Sequence, residues 1–335
     1  VGGILLSPRG PVAAILVPTH DHAATLDLAV RSALEQTVAE IEVVVVGDGV
    51  DDGTRAVVTG LRQEDPRVRF LDLPKGPNHG EVHRGAAIET TSAEIVCYLC
   101  DDDLLLPEHV ESMAALLADA DLAHCQSGHV ETDGSFHPYL ADLELQRCRE
   151  WVLRPDRNAV SLTGTAHTVA AYRRLPHGWR TTPPGRAPDH YMWQQFLAQP
   201  WVRAVTGTRA TALQLPSHLE GRAEWAGDRR RAELGQWRAE LATAEGRARF
   251  DESVRRGVMA RATGEQIRRD EVEGFLAAEK ERAGAEAAEL GGRLAAAEAS
   301  LVAIESTRTW RLRSRLRRIG LLRALARATA RRRLG

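Results

Sequence analysis

The sequence predicts an α/β protein built on a mostly parallel sheet and continued at its C-terminal end by helices alone. Three observations carry that expectation. Short β-branched runs alternate with amphipathic segments through roughly the first hundred residues, the pattern of βαβ units. Acidic residues stand where the expected strands end, which is where ligands gather in open α/β sheets. After about Pro216 the strand-like runs stop, and Arg, Glu and Ala dominate.

Taken in order, Val12–Val17 reads as a buried strand closed by Pro18. In Thr25–Gln36 the apolar residues Leu26, Ala29, Val30, Ala33 and Leu34 fall at helical spacing. Ile41–Val46 is a second strand ending in Gly47-Asp48-Gly49, and Asp52-Gly53-Thr54 opens a helix to Leu61 with Asp52 as N-cap. Val68–Leu73 is a third strand, Pro74–Gly80 a Pro- and Gly-rich loop, and Glu81–Thr91 a helix. Ile95–Leu99 is a fourth strand that runs directly into Asp101-Asp102-Asp103. The pattern then loosens. Glu108–Ala118 reads as a helix, Leu122–Cys125 and Gly128–Glu131 as two short strands, Thr168–Leu175 and Pro188–Gln199 as helices. Further on, Leu290, Leu294, Ala297, Leu301 and Ile304 alternate four-three, predicting a short coiled coil or an antiparallel helix pair.

Composition excludes several classes. The 335 residues carry 44 Lys+Arg against 46 Asp+Glu, a net charge of -2 that argues against a protein coating nucleic acid. Four cysteines are too few for a disulfide scaffold in a chain this long, and Cys97 and Cys100 lie along a strand, away from any helix dipole that would favour a thiolate. The longest apolar runs stop short of the roughly 20 residues a membrane span needs. Val1–Pro11 has no basic segment feeding a long apolar stretch, so the expectation is a cytoplasmic protein without a secretory signal. Neither a Walker-type lysine loop nor Gly-x-Gly-x-x-Gly is present, against kinase and dehydrogenase readings.

Three adjacent carboxylates at a strand exit raise one another's pKa unless a positive charge lies among them. A hard divalent cation is one natural partner, through one or two carboxylates plus substrate phosphates. A solvated acidic turn capping the helix near Pro107 is the other reading.

The blocks Val12–Asp21 (VAAILVPTHD), Glu42–Thr54 (EVVVVGDGVDDGT), Asn78–Gly85 (NHGEVHRG) and Tyr98–Glu108 (YLCDDDLLLPE) together resemble the family 2 glycosyltransferases of bacteria, in their order and spacing across roughly the first 110 residues. The resemblance implies a GT-A fold and a nucleotide-sugar donor. It also implies Mn²⁺ or Mg²⁺ and inverting transfer to an acceptor hydroxyl. On this basis residues 1–218 form a GT-A catalytic domain, with a nucleotide-sugar and metal half (1–104) and an acceptor half (105–218). Residues 219–305 are a helical extension, and 306–335 an Arg-rich amphipathic tail.

By position, the resemblance assigns Pro18, Thr19 and His20 to the nucleoside pocket, Asp48 to the base or ribose, and Arg84 to a basic position near the donor. Asp101 and Asp102 would meet the donor, and Asp102 and Asp103 the metal. Gly47 and Cys100 replace residues that are usually acidic in the family. That departure motivates an alternative, a catalytically degenerate nucleotide-sugar-binding module with a helical oligomerisation arm. The resemblance places the catalytic base at the start of a later helix, where Asp189 of Pro188-Asp189-His190 stands; the competing reading is a helix cap. His167 and Trp179 are candidates for the acceptor side, each with a core reading beside it, and His218 is a weaker candidate for a third metal ligand.

The implied partners are a UDP-, dTDP- or GDP-sugar and a saccharide, lipid-linked glycan or small-molecule acceptor, with no nucleic acid. From Ser306 onward there is no Asp or Glu, while Arg recurs beside Leu312, Leu316, Ile319, Leu322 and Leu325. The tail therefore suits peripheral contact with an anionic membrane, docking on its own catalytic domain, or a homodimer through the C-terminal helices.

Overall fold

The computed structural model describes residues 10–216 and 221–331. It contains β1 (Ala13–Thr19), α1 (Ala23–Leu34), β2 (Ile41–Asp48), α2 (Asp52–Glu64), β3 (Val68–Leu73), α3 (Val82–Glu89), β4 (Ile95–Tyr98), β5 (Leu104–Leu105) and α4 (His109–Leu117). These are followed by β6 (Leu122–His129), α5 (Gln146–Val152), β7 (Thr165–Thr168), α6 (Val169–Arg173), α7 (Pro188–Leu197), β8 (Ala204–Gln214), α8 (Gly227–Leu241), α9 (Ala244–Ser306) and α10 (Arg308–Arg331). The sheet order is β3-β2-β1-β4-β7-β6-β8-β5. The first four strands run parallel, β7 lies antiparallel to β4 and β6, β8 parallels β6, and β5 opposes β8.

The continuous apolar runs Ala13–Val17 of β1 and Val43–Val46 of β2 are buried on both faces, as a sheet covered by helices on both sides requires. Strand β1 continues through Pro18 to Thr19 instead of stopping at Val17. Leu16 gives its carbonyl to Leu99 on the β4 side, so Pro18, two residues on, faces that side past the end of β4, where no ladder donor is required. The N-cap of α2 is Asp51, not Asp52: its carboxylate accepts from the Thr54 amide at 2.7 Å. The two short strands expected at 122–131 are one strand, because β8 absorbs the irregularity with extra residues between Gly207 and Ala212. Strands β7 and β8 have no strong sequence signal. Their buried positions are held most often by Ala, with Thr, His and Gln among them, so the run of large β-branched and aromatic residues that marks a strand is missing.

The chain divides into two compact units, Val1–Ala262 and Thr263–Gly335. The first therefore continues well past the change in composition at Pro216. Helix α8 packs along α1, where Arg231 bonds Asp27 and Arg238 bonds Glu35. Leu234 and Leu241 of α8 and Phe250 and Val254 of α9 join Leu104, Leu106, Val130 and Leu213 in one apolar cluster. Gly128 makes room for this, since a Cβ there would lie 2.4 Å from the Phe250 ring.

The second unit is helical, with its large apolar side chains exposed. In α10 the apolar residues do not form one stripe. Leu312 and Leu321, nine residues apart, sit on opposite faces at about 100° per residue, with arginines between them around the helix. The amphipathic tail expected there is instead a helix with mixed faces. Among the described residues no helix is long and apolar enough to cross a membrane.

Candidate functional site

The C-terminal ends of β1, β2 and β4 open into a cleft of about 360 Å³. Pro18, Thr19 and His20 line it from β1, Asp48 from β2, Lys75, Gly80 and Arg84 from the β3–α3 connection and α3, and Asp101 and Asp102 from the end of β4. A second cleft of about 520 Å³ adjoins it, sharing His79, Cys100, Asp102 and Leu162 and adding Asp103, Asn158, Arg186 and Asp189. Asp102 lies on the boundary between the two.

Asp48 is buried and well held. Its carboxylate accepts from the Gly76 amide at 2.5 Å and from the Lys75 ammonium. Burial alone would raise its pKa, but these donors outweigh it and hold the group below the usual carboxylate range. His20 contributes a ring-nitrogen bond of 2.7 Å to the Asp48 carbonyl. Gly47, where an acidic residue is usual in the resembling family, has no room for one. A Cβ there would stand 2.9 Å from the Phe70 ring.

Arg84 is buried beneath the same cleft, its guanidinium 4.6 Å above the Trp179 ring. Its Nε and Nη1 have no hydrogen-bond partner among the described residues. Burial lowers its pKa, against the nearby acidic groups, Asp189 included. A buried cation with unused donors is a ready receptor for an anion.

The acidic triplet is held on three sides. Asp101 takes a 2.7 Å bond from His22 Nδ1, and Arg230 of α8 reaches Asp102 Oδ2 at 2.6 Å and His22 Nε2 at 3.2 Å. Asp103 accepts from the Thr163 hydroxyl at 2.5 Å and the Leu215 amide at 2.9 Å, tying the triplet to the end of β8. The bond to Asp101 outweighs burial and lifts His22 to about 9. Burial, reinforced by neighbouring carboxylates, pushes Asp102 up to about 6 and Asp103 up to about 8. Three carboxyl groups thus crowd beside only two cationic side chains, and the raised Asp102 and Asp103 are the outcome of burial and that crowding together.

Two groups of potential ligands converge here, His22-Asp101-Asp102 and Cys100-Asp102-Asp103, each with its donor atoms within 4.8 Å of one another. Asp102 belongs to both. The oxygen-rich set, with two carboxyl groups held protonated in part by burial and crowding, fits a hard divalent cation bound through few protein ligands. The Cys100 thiol, raised well above its ordinary pKa by burial and the adjacent carboxylates, stays neutral.

Asp189 lies in the first turn of α7, facing the second cleft. The N-cap is Ala187, so Asp189 is not spent as the cap. Its Oδ1 accepts from the His190 amide at 2.7 Å and the Asn158 side chain at 3.4 Å. Burial raises its pKa, against that amide and the Arg84 charge.

His167 and Trp179 line neither cleft, which corrects their expected place on the acceptor side. His167 is fully buried, bonded to the Tyr98 hydroxyl at 2.7 Å and stacked on Tyr172. Trp179 donates from Nε1 to the same hydroxyl at 2.8 Å and packs edge-on to Trp193. Both support the floor under Arg84. His218 lies outside the described residues. Lys75, His22 and Arg230 escaped the sequence reading. Lys75 sits in a loop with no motif, and Arg230 is separated from Asp102 by 128 positions.

Residues 14–176 match the family model described as glycosyl transferase family 2. Hyaluronan synthase of Pasteurella multocida is 33% identical over 130 residues, covering 38% of this chain and 13% of that protein. GalNAc(5)-diNAcBac-PP-undecaprenol beta-1,3-glucosyltransferase of Campylobacter jejuni is 32% identical over 99 residues, covering 29% of this chain and 31% of that one. The chain thus spans less than a third of the length of these curated relatives. Among solved structures, S. aureus TarS 1-349 in complex with UDP-GlcNAc superposes with a TM-score of 0.50 at 17% identity, covering 73% of this chain and 71% of that chain. The likeness is one of fold, and with the sheet order it is a GT-A fold.

Proposed function

We propose that residues 14–176, which match the glycosyl transferase family 2 model, work as a family 2 glycosyltransferase domain, and that the protein moves a sugar from a nucleoside-diphosphate donor to an acceptor hydroxyl with inversion at the anomeric carbon. The observation that carries this reading is the content of the two joined clefts. The first holds a fixed carboxylate (Asp48), a buried guanidinium with unused donors (Arg84) and the edge of an acidic triplet. The second holds a half-buried carboxylate (Asp189).

In this reading Asp48 and the His20 segment receive the nucleoside, and Arg84 faces the diphosphate. Asp102, with Asp101 or Asp103, would hold Mn²⁺ or Mg²⁺, which when bound stabilises charge growing on the leaving diphosphate. Asp189 accepts the acceptor's hydroxyl proton as that oxygen attacks the anomeric carbon. The bond from that carbon to the diphosphate breaks, and its electron pair leaves with the nucleotide. The second cleft receives the acceptor, and its mixture of Asn158, Arg186 and Asp189 suits a polyhydroxylated molecule.

A thermal-shift panel of UDP, GDP, dTDP and their sugars with Mn²⁺ tests the donor class. A base-selective rise in Tm is expected, and none across the panel sinks the reading. Asp102→Asn is expected to abolish transfer and donor hydrolysis with the fold intact. Asp189→Asn should keep nucleotide affinity while transfer falls by about 10²- to 10⁴-fold, the usual worth of a general base; unchanged transfer would remove Asp189 from that role.

A further inference from the structure

Within Thr263–Gly335, the α9 segment from Leu276 to Ile304 presents a sustained seam. Counting Leu294 as position a of a heptad places Leu276, Ala283, Leu290, Ala297 and Ile304 at d, and Lys280, Ala287, Leu294 and Leu301 at a. Successive members are three and four residues apart, so they share one face of the helix. That face is uncovered: Leu290 is 54% exposed, Leu294 62%, Leu301 60% and Ile304 52%. Side chains of this size in a continuous row are expected to be buried by a partner.

We propose that a second copy of this chain covers the seam, forming a parallel, in-register two-stranded coiled coil over residues 276–304. Self-pairing follows from the pattern. In register, each Leu or Ile layer meets an identical layer, and the small Ala layers meet each other, so wide and narrow layers match along the whole length. Lys280 is the lone charged core residue, and one polar a position is a known device for setting register and strand number.

The flanking charges choose the orientation. In a parallel pair a g residue faces the e residue of the next heptad on the partner. Arg293 is at g and Glu298 at e, so two Arg–Glu contacts form, one on each side. The remaining g–e′ pairs are Glu279 with Gly284, Glu286 with Gly291, and Ser300 with Glu305, none of them repulsive. In the antiparallel arrangement that opposes Leu290 to Leu294, Arg293 faces Arg293 of the partner subunit instead. The seam ends where the charge pattern changes: continuing it puts Arg308, Arg311 and Arg315 at core positions. The proposal does not depend on the sugar-transfer reading, since none of these residues lies in either cleft.

The experiment is light scattering and sedimentation on the full chain. The unaltered protein is expected to have twice the monomer mass at micromolar concentration, and a monomer overturns the proposal. Arg293→Glu and Glu298→Arg are each expected to weaken the dimer at least tenfold, through like charges facing across the seam. Mixing the two variants should restore a heterodimer in which both pairs between positions 293 and 298 join opposite charges. A dimer indifferent to both substitutions overturns the parallel register. Leu290→Lys with Leu294→Lys should give a monomer of unchanged helical circular dichroism, and a persistent dimer would place the interface elsewhere.

Discussion

Gly80 adopts φ +60° with the Asp48 carboxylate packed where a side chain would begin, so a Cβ there would fall 2.1 Å from the Asp48 carboxyl carbon. Gly80→Ala is therefore expected to push Asp48 off the Gly76 amide and Lys75. Nucleotide affinity should drop about tenfold or more, and stability by about 1–3 kcal/mol, the scale of backbone strain at such a site. Calorimetric titration with the nucleoside diphosphate checks the first, and urea unfolding the second. Arg230 makes a different prediction, because its guanidinium occupies Asp102 Oδ2. Arg230→Gln frees that oxygen, and the nucleotide-free protein should bind Mn²⁺ about five- to tenfold more tightly, roughly 1 kcal/mol; paramagnetic resonance of free Mn²⁺ reads it directly. Asp48 and Asp102 were legible in the sequence because a strand end fixes where its next side chains go. Arg230 was not, since only the packing of α8 on α1 carries it to the triplet.

Strands β6 and β7 and helix α4 each bury a histidine: His124, His167 and His109. Burial holds each imidazole down to about 4. The unfolded chain takes up these protons near pH 6.5 and the folded chain only near 4. The stability each neutral ring contributes is complete above pH 6.5 and lost as pH falls from 6.5 to 4. At pH 5 the loss per ring is about 2 kcal/mol. The raised carboxyls Asp102 and Asp103 act with the opposite sign, so a single substitution isolates one ring. His124 has no hydrogen-bond partner for either nitrogen among the described residues, and His124→Leu is expected to lessen acid destabilisation by about 1.4 kcal/mol per pH unit in that window. Urea unfolding of both proteins at pH 7.5 and pH 5 measures it. The same elements show where sequence patterns carry and where they fade. The continuous apolar runs of β1 and β2 announce themselves, whereas β7 and β8 are strands because neighbouring strands offer them a ladder.

The whole chain places its first compact unit at Val1–Ala262, and this makes the choice of end point testable. A chain stopping at residue 218 would lose Leu234, Leu241, Phe250 and Val254 from a shared cluster. It would also lose Arg222, buried between Glu233 and the Val130 carbonyl. At about 1.5–3 kcal/mol for each large apolar side chain, the loss approaches the total stability of a domain. Residues 1–218 are thus expected to be insoluble or molten, while 1–262 should melt cooperatively and retain nucleotide binding, as calorimetry would show. Sequence alone determined the βαβ order, the strand-end carboxylates Asp48 and Asp101–Asp103, and the entry of Asp189 into a helix. These follow from local periodicity and from the direction a strand imposes on its exit. Tertiary structure alone decided that Lys75 and His22 join the site, that His167 and Trp179 support it from below, and that Arg230 and α8 belong to the first unit. Those contacts join residues far apart in the chain, and only the burial of apolar surface, which no local pattern encodes, brings them within reach.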